Sequence, residues 1–122
     1  MGTSLETIIA QIHEMLTWPA GWNTYDALPI SPASAVHAEA WITEVYQRDL
    51  TLVDDINVIA DAWGDVVFEW WGKVKDKHLT IYIGKDVIDY VRDWGLNMET
   101  EMDDGVITSI DRFVELRQYL LA

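Results

Sequence analysis

The sequence predicts an α+β fold: a four-stranded antiparallel β-meander with two N-terminal helices and one C-terminal helix packed on one face. All of it forms a single domain over residues 1–122. Three observations carry this. Between residues 56 and 94, apolar positions recur every second residue, the period of a strand with one buried face. The segments joining these runs (62–65, 72–77 and 84–86) are short and hold glycine and charge, as hairpin turns do. At both ends of the chain the period changes to that of a helix, and helices flanking a meander can bury themselves only against it.

Thr3-Ser4-Leu5-Glu6 has the form of a capping box, and Leu5, Ile8, Ile9, Ile12 and Leu16 then follow helical spacing until Pro19 forbids continuation. The stretch 20–31 is rich in turn formers, yet Trp22, Tyr25, Leu28 and Ile30 make it too apolar for a solvated linker, so it is expected to pack across the sheet or the helix ends. Ser31-Pro32 is an N-cap followed by a first-turn proline. The second helix that begins there carries Val36, Ala40, Trp41 and Val45 as its apolar stripe, with Ile42 beside it. Residues 49–55 lead into the meander. Within it, Val66, Phe68 and Trp70 alternate with Val67, Glu69 and Trp71. Leu79, Ile81 and Ile83 alternate with Thr80 and Tyr82, and Ile88 and Tyr90 with Asp89 and Val91. The acidic stretch 95–105 is expected to be a long loop with room for at most a short strand. Thr108 and Asp111 form a second capping box, ahead of a helix whose Ile110, Phe113, Val114, Arg117 and Leu121 share a side.

The charge is the most unusual property of the composition. With 21 Asp and Glu against 8 Lys and Arg, the formal net charge is -13. Such a surface repels nucleic acid and anionic membrane and attracts basic protein surfaces; the plainer reading of the same charge is solubility. The chain has no cysteine, which excludes disulfides, a thiolate nucleophile and cysteine-ligated zinc or iron–sulfur centres. The first residues lack the basic and apolar regions of a signal peptide, and no apolar run is long enough to span a bilayer, so the expected location is cytoplasmic.

Gly21-Trp22-Asn23-x-Tyr25-x-Ala27-x-Pro29-Ile30-Ser31, followed by a helix and then by a strand ending in Phe68-Glu69-Trp70, resembles a family of small bacterial and phage-borne proteins. Those proteins carry a Gly-Trp-(Asp/Asn)-x-Tyr-x-Ala-x-Pro loop and a later Leu-Glu-Trp-type strand, and the likeness extends over nearly the whole chain. The resemblance implies an α+β fold and a mobile-element context, with no catalytic residues to carry over. Asn23 stands where aspartate is commoner in that family, so the position gains no acid–base role from it.

Signals of catalysis are weak. His13, His37 and His78 have no ligand-like spacing, and His37-Ala38-Glu39 lacks the cysteine pair that a zinc deaminase needs. Asp103-Asp104-Gly105 departs from a calcium loop at Met102 and at Asp111, where a closing glutamate belongs. There is no phosphate-binding glycine loop and no nucleophile elbow. Carboxylate pairs such as Asp61 with Asp65, or Glu69 with Asp89, could serve a small hydrolase, but a chain this acidic offers such pairs freely. The expectation is no enzymatic activity, no metal and no cofactor.

The aromatic residues are more informative. Seven tryptophans are many for this length, and tryptophan is favoured both in small cores and at binding hot spots. Trp22, Trp41 and Trp70 lie on core-facing patterns. Trp71 alternates onto the other face with Val67 and Glu69, across from Thr80 and Tyr82, a mixed aromatic and acidic surface of the kind that meets a partner. The competing reading buries Trp71 under the loop 21–31. The partner-binding residues expected are Glu69, Trp71, Tyr82, Asp89, Glu99, Glu101, Asp103 and Asp104. Together these lead to a non-enzymatic acidic inhibitor that binds a basic, nucleic-acid-handling protein by presenting carboxylates where phosphates would lie. Anti-CRISPR and similar phage counter-defence proteins are the analogous class in size and charge. An antitoxin or immunity protein, neutralising a toxin, is the alternative.

Overall fold

Ser4 caps the first helix, one residue later than the predicted box. In the computed structural model, which describes residues 4–22, 27–72, 77–93 and 102–120, the Ser4 hydroxyl accepts from the Thr7 amide at 3.2 Å. Helix α1 (Leu5–Met15) turns Ile8, Ile12 and Met15 into the core. Leu16, expected on that stripe, lies past the helix end and is exposed. Helix α2 (Pro32–Arg48) starts as predicted, with Ser31 as cap and Pro32 in the first turn. Its buried side, however, is Ser34, Ala35, Ala38, Trp41, Ile42 and Val45. The small residues at 34, 35 and 38 let the helix backbone approach the sheet, and that choice of face leaves Val36 66% exposed and Ala40 exposed. The predicted stripe was therefore right at Trp41, Ile42 and Val45 and wrong at its N-terminal half.

A short 3-10 turn (Leu50–Val53) buries Val53 and delivers the chain to the sheet. The sheet has five strands, not four: β1 (Asn57–Ala60), β2 (Val66–Trp71), β3 (His78–Ile83), β4 (Ile88–Asp93) and β5 (Met102–Val106), antiparallel in the order β1-β2-β3-β4-β5. The fifth strand lies in the acidic stretch, where Met-Asp-Asp-Gly-Val shows no alternation and has Val106 as its one strong strand former. Its support comes from β4. Arg92 Nε donates to Asp103 at 2.9 Å and the Tyr90 hydroxyl donates to the same oxygen at 3.1 Å. Gly105 leaves room for the Tyr90 ring, since a Cβ there would lie 2.9 Å from Cε1 of Tyr90. These are cross-strand facts that no local pattern contains.

The register places Phe68 beside Ile81 and Ile81 beside Tyr90, with Trp70 beside Leu79. This face is covered by the helices. Trp41 stacks near Phe68 (5.9 Å between ring centroids) and meets Phe113 edge-on at 4.9 Å, and Phe113 also lies 5.2 Å from Trp70. Phe113 and Leu116 belong to helix α3 (Ile110–Tyr119), whose cap is Ser109 rather than Thr108. The loop before α2 is tied to the β1–β2 turn: the Leu28 amide donates to the Ala62 carbonyl and the Ser31 amide to that of Gly64, both at 2.9 Å. Gly64 has φ +92°, and a side chain there would also collide with the Pro29 carbonyl at 2.8 Å, so the position requires glycine. Trp22 is not a core residue. It packs on Trp18 and donates its indole N–H to the Leu28 carbonyl at 3.0 Å, at the rim of the fold.

Candidate protein-binding face

Strand alternation sends the remaining side chains of the sheet to the face without helices. On it lie Trp71, His78, Asp93 and Met102 in one row, Asn57, Glu69, Thr80, Val91 and Asp104 in the next, and Ile59, Val67, Tyr82, Asp89 and Val106 in a third. The middle of this face is close-packed even so. Val67 and Thr80 are 1% and 6% exposed, since their cross-strand neighbours are large.

His78 organises one end of the face. Its Nε2 lies 3.0 Å from Glu69 and its Nδ1 3.4 Å from Asp93, while the Thr80 hydroxyl approaches Nε2 at 3.4 Å. The imidazole thus lies between two carboxylates. Trp71 lies nearly parallel to that ring, 3.9 Å between centroids and tilted by 16°, yet remains 56% exposed. One face of the indole rests on a fixed support and much of the rest is open. Tyr82, four residues along β3 from His78, has its hydroxyl pKa pushed up by burial first and then by Asp61, Glu69 and Asp93, so it stays a neutral hydrogen-bonding group.

Five of the expected binding residues therefore share this face: Glu69, Trp71, Tyr82, Asp89 and, opposite Val91, Asp104. Asp103 does not. It sits opposite Arg92 on the helix side and holds Tyr90 and Arg92, so it is a structural residue of β5. Glu99 and Glu101 lie outside the described residues. The exposure of Trp71 also answers the competing expectation that it would be core. His78 and Asp93 were missed by sequence reasoning. The signal was present in the register: once Glu69 faces Thr80, His78 is diagonal to Glu69 and directly opposite Asp93.

The cations go elsewhere. Arg48 pairs with Asp111, Arg92 with Asp103, and Arg112 with Glu115 and the Tyr90 hydroxyl. Arg117 donates to the carbonyls of Leu52 and Asp54, and Lys77 to that of Tyr119. Among the described residues, no lysine or arginine points from a strand onto the open face. Among the described strand residues, the acidic side chains on that face are Glu69, Asp89, Asp93 and Asp104.

The two carboxylate pairs considered from sequence have different fates. Glu69 and Asp89 are separated by β3. Asp61 and Asp65 do meet, at the β1–β2 turn, where Asp61 Oδ1 accepts from the amides of Trp63 (2.9 Å) and Asp65 (3.0 Å). Burial first, then Asp61 and more weakly Asp89, push the Asp65 pKa above the ordinary carboxylate value. A carboxyl raised in the folded chain binds its proton more tightly there than when unfolded, so stability falls as pH rises through that window and the cost is fully present at neutral pH. Asp65→Asn is accordingly expected to raise the melting temperature slightly at pH 7. The gain should shrink to nothing as pH falls below the unfolded carboxylate pKa, which a series of thermal melts against pH would read.

No group of three or more His, Asp or Glu among the described residues is placed to hold a metal ion. No helix of the described residues is long and apolar enough to cross a membrane. No family model matches the chain, and neither a curated protein nor a solved structure matches it significantly.

Proposed function

We propose that the chain is a non-enzymatic, acidic interaction protein whose open sheet face binds a basic protein. The observation that carries this reading is the segregation of charge. The uncovered face holds Glu69, Asp89, Asp93 and Asp104 with no described cation among them, while the described arginines are spent on helix-side contacts. Carboxylates spread over neighbouring strands attract a basic surface at long range. A supported, half-exposed tryptophan then supplies apolar contact once water is excluded. A partner that normally grips a phosphate backbone presents such a basic surface, so a nucleic-acid-handling protein is the class proposed, with inhibition by occupying its nucleic-acid site. The setting, phage counter-defence in the cytoplasm, rests on the sequence resemblance and on size and charge alone.

The test is affinity capture from a lysate of the source cells, with the native chain and with the Asp89→Asn, Asp104→Asn, Trp71→Ala variant as baits. Proteins retained only by the native bait should be basic and nucleic-acid-binding, and added duplex DNA or RNA should release them. Retention of the same proteins by both baits, or retention indifferent to nucleic acid, contradicts the reading.

A further inference from the structure

The apolar stripe of α2 is wider than the fold uses. Burying Ala35, Ala38 and Ile42 against the sheet leaves Val36 and Ala40 on the outer flank of the helix, one turn apart, where they stand beside Ile9 of α1. A groove of about 700 Å³ runs there. On the other side of the same helix, a second groove of about 500 Å³ is floored by Trp41, Ile88 and Val87, Val87 itself 47% exposed. His37, Trp41 and Glu44 border both grooves, so the two flank a single ridge. The wall is fixed: His37 is tied to the Gly84 carbonyl at 2.9 Å, which links α2 to the β3–β4 turn.

The charge along these grooves is of one sign. Glu39, Glu44 and Asp86 line them and, among the described residues, no lysine or arginine does. A second copy of this chain is thereby disfavoured as occupant, since it would bring the same acidic character to the contact. Paired apolar grooves on either side of a helical ridge accept side chains spaced by one helical turn, and an acidic border selects for cations beside them.

We propose that this flank of α2 is a second docking surface, for a basic amphipathic helix of a partner protein, distinct from the open sheet face and independent of the reading given to that face. The occupant lays apolar side chains against Val36, Ala40 and Val87 and sets lysine or arginine against Glu44 and Asp86.

The probe is a labelled, helix-forming leucine/lysine peptide, compared with a counterpart of equal charge in which serine replaces leucine. Binding is read by fluorescence anisotropy at physiological salt and by amide shifts of the isotopically labelled protein. The leucine/lysine helix should bind about tenfold more tightly or better, and the shifts should centre on Val36, Ala40, Glu44 and Val87. Val36→Ser with Val87→Ser, both at exposed positions, should weaken it by about tenfold, as the loss of two apolar contacts implies, while Trp71→Ala leaves it unchanged. Equal binding of the two peptides, or shifts confined to β2, β3 and β4, would overturn the proposal. So would an undiminished affinity in the double serine variant.

Discussion

Ile81→Asp is expected to unfold the domain. Ile81 is wholly buried in the central strand, between Phe68 and Tyr90 on its neighbours and under the helices. An aspartate there has no cation within the core to meet it, and leaving a charge or an unpaired polar group in such a place costs on the order of 5 kcal/mol. A domain of this size is stable by about 5–15 kcal/mol, so the substitution removes much or all of that margin. The adjacent position is not the neutral control that alternation suggests. Thr80 points to the open face but is itself buried against Glu69 and His78, and a carboxylate there would sit among carboxylates. Ile59, on the same face at the edge strand and 41% exposed, is the proper comparison, with an expected cost of about 1 kcal/mol. Urea denaturation of the two variants reads the difference, and equal shifts of their midpoints would mean that the register is wrong.

Trp71→Ala is expected to behave in the opposite way, sparing the fold and damaging the complex. Truncation removes the stack on His78, worth about 0.5–1.5 kcal/mol in a packed setting and less at a side chain 56% exposed. The melting temperature should therefore move little. In the complex the indole is the largest apolar contact the face offers among the described residues, already oriented by a ring that lies between Glu69 and Asp93. Loss of a preorganised hot-spot tryptophan costs about 2 kcal/mol or more, carried mainly by faster dissociation. Unfolding by Trp71→Ala, or an unchanged dissociation rate, would remove the hot spot from the account.

The parts of the fold that could be read in the sequence are those where local pattern and tertiary environment agree. Val66, Phe68 and Trp70 on β2, and Leu79, Ile81 and Ile83 on β3, alternate because one face of the sheet is buried, and the fold buries them. The fifth strand had no such signal. Apart from Val106 its residues are poor strand formers, and what holds them is an arginine, a tyrosine and a missing side chain at Gly105, all defined by contacts with β4. Helix α2 failed for a related reason. Valine and alanine spacing marks an apolar flank, but the depth at which the helix packs depends on Ser34, Ala35 and Ala38, small residues that a hydrophobicity pattern undervalues. The candidate face followed the same division. Glu69, Trp71, Tyr82 and Asp89 share a face by alternation alone, whereas the pinning of His78 between two carboxylates needs the register of three strands. Asp103 looked like a member of an acidic loop and is instead the anchor of an edge strand.

Association kinetics with a captured basic partner, followed by stopped flow over a range of salt concentrations, reach the open face most directly. Asp89→Asn with Asp104→Asn neutralises exposed carboxylates that hold nothing else among the described hydrogen bonds and ion pairs, so the fold and the His78 cluster remain as they are. The native chain should associate fast at low salt and slow steeply as salt rises. The double variant should start slower and show a flatter dependence, with dissociation nearly unchanged. Superimposable salt dependences for the two proteins would contradict the claim that this face steers the partner.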